Sequence, residues 1–107
     1  MPDSVKFRVG FAPEVVDHLG VIARKYHHLI ERAIDEKLTD APEQRTRNRK
    51  PLEEPGPFGS TWELRCGPRN CFRIFYEVEH AEHTVWVLAI GIKERERLLI
   101  AGEEFRT

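Results

Sequence analysis

The residues between 61 and 97 contain three strand patterns in close succession. Apolar and charged residues alternate over 61–65 and again over 72–78, and a Gly-Pro-Arg-Asn turn separates these two segments. Residues 84–90 are apolar at almost every position, which is typical of a central strand that is covered on both faces. Because short connections join antiparallel neighbours, we predict a three-stranded antiparallel meander.

The alternation assigns each side chain of the first two strands to one face of the sheet, since successive side chains point in opposite directions. One face receives most of the large apolar residues: Trp62, Leu64, Phe72, Ile74, Tyr76 and Val78. The other face receives Glu63, Arg65 and Arg73. The pattern predicts a core on the first face. On the second it predicts fixed positive charge, as suits an anion, a nucleic acid or an acidic partner.

The N-terminal part predicts a strand followed by a long helical segment. The apolar residues Val5, Phe7, Val9 and Phe11 alternate with Lys6, Arg8 and Gly10, and we expect this strand beside the central one. By the same parity, Lys6 and Arg8 should join the charged face. Apolar residues then recur every three or four positions over 15–38, which indicates a helix. A bend near residues 25–28 would divide it into a helix pair.

These elements predict one α+β domain that spans residues 1–107. The order is a strand, a helix or helix pair, and then a three-stranded antiparallel meander. The helices should pack on one face of a four-stranded sheet and leave the other face open. A chain of 107 residues suffices for one core and not for two.

The positive charge is concentrated in one part of the chain. Residues 45–75 hold seven basic and three acidic side chains, although the whole chain carries a net charge of −1. Residues 43–60 are predicted to form a loop, and its Arg47, Arg49 and Lys50 suit a phosphate backbone. A solvated charged loop is the alternative. Residues 93–100 are predicted to form a short helix or turn.

Several classes of protein do not fit this sequence. No run approaches the ~20 apolar residues of a membrane helix, and the N-terminus does not resemble a signal peptide. We therefore expect a cytoplasmic protein without a membrane partner, with Cys66 and Cys71 as reduced thiols that are buried or half-buried. His80 lies nine residues beyond Cys71, or about 30 Å along a strand, too far for a shared zinc ion. We predict neither a metal nor another cofactor.

Three segments resemble the RelE/ParE superfamily of bacterial toxins: WELR at 62–65, FRIFY at 72–76 and LAIGIKERERL at 88–98. The first two are also similar to the HigB-like branch. The resemblance implies a small toxin of a type II toxin–antitoxin system, bound and neutralised by an antitoxin protein. RelE and HigB relatives cleave messenger RNA on the translating ribosome, whereas ParE relatives poison DNA gyrase. DNA would be contacted only indirectly, through the antitoxin.

The resemblance also implies roles for individual residues. Arg73 matches the arginine that contacts the scissile phosphate, and Lys93 lies where a further phosphate-binding arginine is found. Glu63 replaces a lysine, and Leu99 stands about where a catalytic tyrosine is expected. Our catalytic set is Arg73, Lys93 and Glu63, with Glu63 as the base. The expected nucleic-acid-binding residues are Arg47, Arg49, Lys50, Arg65, Arg95 and Arg97.

Alternatives remain for the same residues. Arg73 could instead form a structural ion pair with Glu63, and Lys93, Arg95 and Arg97 could belong to a salt-bridged strand end, since they alternate with glutamates. The leading functional hypothesis is a metal-independent, ribosome-dependent mRNA endoribonuclease that inhibits translation. A non-enzymatic gyrase inhibitor and a degenerate toxin that only binds its antitoxin are the alternatives, so enzymatic activity itself stays open.

Overall fold

The structure, a computed structural model, describes residues 6–106, and within them the chain forms one mixed sheet with helices on one face. Val5, predicted in the first strand, lies outside the described residues. The strands are β1 (Arg8–Phe11), β2 (Arg49–Pro51), β3 (Trp62–Cys66), β4 (Phe72–Glu79), β5 (Thr84–Glu94), β6 (Arg97–Ile100) and β7 (Glu103–Glu104). Strands β2 to β7 are antiparallel neighbours in chain order, and β1 pairs with β5 in parallel. The α+β prediction is confirmed.

The apolar β5 is the central strand of the sheet, as its sequence predicts. Strand β4 runs along one side of it from Thr84 to Ile92. On the other side, β1 pairs with the first part of β5 as far as Val87, and β6 pairs with the last part from Gly91. Residues 88–90 of β5 therefore lie between the end of one neighbour and the start of the next.

The main core lies between the sheet and the helices, and its sheet side is the apolar face predicted from alternation. The helices are α1 (Val15–Gly20) and α2 (His27–Leu38). Helix α2 contributes Ile30, Ile34 and Leu38 at four-residue intervals, which places them on one face of the helix. They pack with sheet residues that include Leu64, Phe72, Ile74, Tyr76, Val85 and Val87. No helix within the described residues is long and apolar enough to cross a membrane.

The helical segment is a helix pair, which is one of the two predicted forms, but the first helix ends before the predicted bend at residues 25–28. Helix α1 ends at Gly20, and a 3-10 turn, Arg24–Tyr26, precedes α2. The ring of His27 caps the end of α1: its Nε2 donates to the carbonyl oxygens of Leu19 at 2.9 Å and Ile22 at 2.8 Å. These carbonyls belong to the last turn and the residues just after it, where helical partners run out.

Three sequence expectations about the rest of the sheet are wrong. The predicted loop over 43–60 contains strand β2, and the predicted helix or turn over 93–100 is a β5–β6 hairpin. The face away from the helices, which we call the outer face, is not open along its whole length. Phe75, Ala89 and Ile100 are buried there in a second apolar cluster, with Leu52, Leu98 and Phe105 against them. Strands too short to show an alternating pattern supply much of that cover.

A close approach between β1 and β5 leads to the first prediction. The ring of Trp86 lies over Gly10, where a Cβ atom would stand 2.3 Å from Cζ3 of the ring. The ring is held in place because Nε1 of Trp86 donates to Oε1 of Glu79 at 2.8 Å. We expect Gly10→Ala to lower the free energy of unfolding by about 1–3 kcal/mol, measured by urea denaturation.

Gly20 provides the matched control for that substitution. It ends α1, and a Cβ atom there would meet nothing within 4 Å. Gly20→Ala should leave the stability unchanged or raise it by up to about 1 kcal/mol, since alanine favours a helix over glycine. Equal effects of the two substitutions would show that the Trp86 ring does not constrain position 10.

His18 fills the gap along β5 between β1 and β6. It is buried on α1, and its Nδ1 accepts a hydrogen bond from the backbone N–H of Ile90 at 3.2 Å. Within the described residues, no strand pairs with β5 at Ile90 on that side, so the imidazole satisfies a buried donor. Burial lowers the pKa of His18 below its usual 6.5, and the carboxylates of Glu14 and Asp17 oppose this only in part.

The lowered pKa of His18 predicts acid sensitivity. Below pH 6.5 the unfolded chain takes up a proton at this site before the folded chain does, so stability falls as the pH drops toward the folded-state pKa. His18→Asn keeps an acceptor near the Nδ1 position and removes the titration. We expect the variant to lose less unfolding free energy than the parent between about pH 7 and pH 5. Parallel pH profiles would contradict this role of His18.

Candidate functional site

The charged part of the outer face is organised around one carboxylate, Glu63 of β3. Strand register places Lys50 of β2 opposite Glu63, and it places Arg65 of β3 opposite Arg73 of β4. Opposite residues in paired antiparallel strands share a face of the sheet. Glu63, Arg65 and Arg73, which we call the arginine–glutamate cluster, therefore lie on the outer face with Lys50 beside them.

Both arginines of the cluster bind the same carboxylate oxygen. Nη1 of Arg73 donates to Oε2 of Glu63 at 2.8 Å, and Nε of Arg65 donates to it at 3.2 Å. The Glu63 side chain is 6% exposed, compared with 14% for Arg73 and 33% for Arg65. Two cations share one anion, so the cluster carries one net positive charge. Arg65 is its most accessible member.

The turn before β4 fixes Arg73 from a second side. Nε of Arg73 donates to the backbone oxygen of Asn70 at 2.9 Å. The turn has positive φ angles at Gly67, Arg69 and Asn70, a conformation that glycine and asparagine adopt at low cost. Sequence reasoning missed Asn70 as an anchor, although its place in the Gly-Pro-Arg-Asn turn, three residues before Arg73, was the available signal. The structural ion pair with Glu63, given above as an alternative, is present.

Lys93 is close to this cluster. Gly91 of β5 faces Arg73, and Lys93 stands two residues further along β5, so it shares the outer face. Diagonal neighbours of this kind have Cα atoms about 7–8 Å apart. Lys93 is half-buried, and its backbone N–H donates to the carbonyl oxygen of Cys71 at 2.7 Å. The structure thus brings Arg65, Arg73 and Lys93 to one side of the sheet, the side away from α1 and α2.

Arg49 does not face solvent, which corrects its expected place among the nucleic-acid-binding residues. It is opposite Leu64 in the β2–β3 pair and therefore lies on the helix side of the sheet. It is 6% exposed, and its guanidinium donates to the backbone oxygens of Gln44 and Lys37. Lys37 belongs to the last turn of α2, where carbonyl groups lack helical partners. Arg49 holds that helix end and the following loop together.

The other predicted binding residues occupy three separate places. Arg47 is exposed in the loop before β2, and half-buried Lys50 joins the outer face. Arg95 lies in the β5–β6 turn with a φ of 57°. Arg97 pairs with Glu94 at 3.9 Å between exposed side chains, as expected for a salt-bridged strand end. Such exposed pairs contribute little to stability.

Among the described residues, Glu63, Lys50 and Lys93 are the proton carriers near the cluster, and the other candidates lie away from it. Leu99 faces Ile92 of β5, and so lies on the helix side of the sheet. Tyr76 is fully buried in the main core, as predicted; its hydroxyl donates to the carbonyl oxygen of Pro42 at 2.7 Å, and burial raises its pKa. His80 binds Glu43 at 2.9 Å, and His83 stacks on Phe7.

The two cysteines are free and half-buried, as expected. Burial raises the pKa of Cys66 to about 11, and it also raises the pKa of Cys71. Both thiols therefore stay protonated near neutral pH, a state in which cysteine is a poor nucleophile. The cysteines contribute no reactive group beside the arginine–glutamate cluster.

A comparison with solved structures identifies the class of this fold. A chain of the RelBE2 toxin–antitoxin complex from Mycobacterium tuberculosis matches with a TM-score of 0.53 and 21% sequence identity. The match covers 87% of this chain and 98% of that chain. The sheet with its helix pair on one face is therefore the RelE/ParE toxin fold. Comparison with curated proteins gives no match.

A family model places the chain more narrowly. Residues 9–97 match the model described as the ParE toxin of type II toxin–antitoxin system, parDE. This chain belongs to that family. It is a toxin of the type II toxin–antitoxin class, which confirms the coarser part of the sequence hypothesis.

Proposed function

We propose that this toxin acts by binding a protein target, DNA gyrase, and that an antitoxin protein holds it inactive. The observation that carries the proposal is the state of Glu63. It is the carboxylate of the arginine–glutamate cluster, it is buried, and two guanidinium groups already occupy one of its oxygens. Cleavage of RNA through a 2′-hydroxyl requires a base for that hydroxyl and an acid for the leaving oxygen.

The Glu63 carboxylate is poorly placed to reach a substrate, because its side chain is only 6% exposed. Its Oε2 already accepts charge-assisted hydrogen bonds from Arg65 and Arg73, which are among the stronger kinds of hydrogen bond. The hydroxyl of Tyr76 is in the core, and Leu99 is an aliphatic residue on the opposite face. The cluster thus resembles a rigid binding surface more than a centre for proton transfer.

An mRNA endoribonuclease acting on the ribosome is the second candidate. It is favoured by the cations that strand register collects on the outer face, namely Lys50, Arg65, Arg73 and Lys93. Such a group could stabilise the charge of a phosphorane. Under this alternative, the partners are the ribosome and mRNA in addition to the antitoxin, and Glu63 must leave its ion pairs before it acts.

Induction of the chain in a bacterium separates the candidates. We expect growth to stop, gyrase-linked DNA breaks to accumulate, and messenger RNA to keep its normal 5′ ends. New 5′ ends within codons, without DNA breaks, would contradict the proposal and support the ribonuclease candidate. Unimpaired growth at a verified level of folded protein would favour a toxin that has kept only its binding to an antitoxin.

A further inference from the structure

Strand β1 has one edge that pairs with no other strand among the described residues. Its other edge pairs with β5, where the backbone N–H of Arg8 donates to the carbonyl oxygen of His83 at 3.0 Å. Alternate residues of a strand direct their backbone groups to opposite edges. The even-numbered residues of β1 therefore face β5, and the odd-numbered residues Phe7, Val9 and Phe11 face the unpaired edge.

These three odd-numbered residues differ in what their backbone groups bind. The N–H of Phe7 donates to the carbonyl oxygen of Thr39, just beyond α2, at 2.8 Å. Within residues 6–106, the N–H and C=O groups of Val9 and Phe11 have no hydrogen-bond partner. The edge is accessible, since Val9 is half-buried and Phe11 is 50% exposed. Four unpaired backbone groups at an accessible edge form a template for another strand.

A second copy of β1 uses all four groups in one antiparallel register. Pairing Val9 with Phe11 of the second copy satisfies both residues, and two-fold symmetry repeats the pair. A shift by two residues in one direction pairs Phe11 with Phe7, whose N–H is already bound. A shift in the other direction places Val9 opposite Pro13, which has no N–H to donate.

The charges at the two ends of this segment are complementary in the same register. Lys6 stands three residues before Val9, and Glu14 stands three residues after Phe11, so the pairing brings Lys6 close to Glu14 of the second copy. Symmetry gives this contact twice, and both side chains are exposed. An antiparallel pair thus places the basic start of each segment against the acidic end of the other, which favours self-association.

Gly10 lies on the symmetry axis of this pairing. It stands opposite Gly10 of the second copy, in a pair whose Cα atoms are about 4.5 Å apart. The missing side chains leave room for the ring of Trp86, which covers Gly10 on the outer face. The two Trp86 rings then meet across the axis, while Phe11 packs against Val9 on the helix side.

We propose that the chain forms a symmetric homodimer in which two β1 strands pair antiparallel and join the two sheets. The occupant of the edge is a second copy, because the same short segment supplies the matching hydrogen-bond pattern and the complementary charges. The paired segment is short, and small interfaces are weak, so the dimer dissociates on dilution. This inference goes beyond the proposed function, since neither gyrase binding nor RNA cleavage requires it.

Sedimentation equilibrium of the full chain between about 5 µM and about 500 µM tests the proposal, because the dimer fraction rises with concentration. We expect a monomer at the lowest concentration and a dimer at the highest. Lys6→Glu and Glu14→Lys should each raise the dissociation constant at least about fivefold. The double variant K6E/E14K restores the contact with exchanged signs and should return to within about twofold of the parent.

The acidity of the solution is chosen so that one side effect of Glu14→Lys does not enter. The carboxylate of Glu14 raises the pKa of His18, against the larger lowering by burial. At about pH 8, His18 is neutral in the parent and in each variant. Thermal unfolding at the same pH verifies that every variant folds.

Two substitutions of Phe11 separate backbone pairing from packing of the ring. The N–H of Phe11 faces the unpaired edge, so Phe11→Pro removes this donor without removing a hydrogen bond to β5, as suits proline on an edge strand. We expect Phe11→Pro to abolish the dimer. Phe11→Ala keeps the donor and should weaken the dimer less than proline does.

Arg45→Glu and Glu31→Lys are the matched controls, because they reverse charges at exposed positions outside the β1 segment. They should leave the dissociation constant unchanged. A monomer at every concentration would overturn the proposal, including one that binds an added peptide of alternating threonine and valine and so accepts a foreign strand at this edge. A dimer that survives Phe11→Pro, or a double variant no tighter than its single variants, would overturn it as well.

Discussion

Replacing Glu63 by leucine is expected to lower the free energy of unfolding by about 3–5 kcal/mol, one of the two largest effects we predict. The substitution removes the shared partner of Arg65 and Arg73, whose side chains are 33% and 14% exposed. Two like charges then remain close together and partly desolvated. The measurement is urea or thermal unfolding at neutral pH.

Two controls separate this effect from the loss of any ion pair. Glu63→Gln keeps an acceptor oxygen and should lose less stability than the leucine variant. Glu82→Leu removes a partner of Arg8 at 3.8 Å, where both side chains are more than half exposed, and should cost less than about 1 kcal/mol. If Glu63→Leu has as small an effect as Glu82→Leu, the arginine–glutamate cluster is not a structural unit.

The second large effect is expected from Arg49→Met, which should cost about 3 kcal/mol. The guanidinium of Arg49 donates to the backbone oxygens of Gln44 and Lys37, and each hydrogen bond from a charged group contributes about 1.5–3 kcal/mol. Methionine fills a similar volume but leaves both backbone carbonyl groups without this donor. Denaturant unfolding monitored by circular dichroism gives the difference.

Arg45 is the matched control for Arg49, because it is exposed in the same segment. Arg45→Met should change the unfolding free energy by no more than about 0.5 kcal/mol. If the unfolding free energy of Arg49→Met lies within about 0.5 kcal/mol of that of the parent, the desolvation cost of the buried guanidinium equals the stabilisation from its hydrogen bonds. The role of Arg49 in holding the end of α2 would then be wrong.

The alternating strands were the part of the fold that the sequence predicted best. Trp62 and Leu64 in β3, and Ile74 and Tyr76 in β4, face the core as expected. Burial of one face selects a two-residue period, and that period is visible in five to eight residues. The grouping of Arg65 with Arg73 on the other face followed from the same period.

The features that the sequence did not predict depend on strands that are too short to show a two-residue period. Strand β2 has three residues, Arg49–Pro51, and its existence decides that Arg49 is buried while Lys50 shares the face of Glu63. Strands β6 and β7 likewise bring Ile100 and Phe105 onto the outer face. Contacts distant in sequence determine these elements, so neither local propensity nor charge could have placed Arg49.

The central claim is that the chain acts by binding gyrase and not by cleaving RNA. Its most direct test is DNA supercoiling by purified gyrase in the presence of increasing amounts of the purified chain. We predict that supercoiling is lost when the chain reaches a concentration comparable to that of gyrase. Full supercoiling at a large molar excess of the chain, from a preparation that cleaves messenger RNA in a reconstituted translation reaction, would contradict the account.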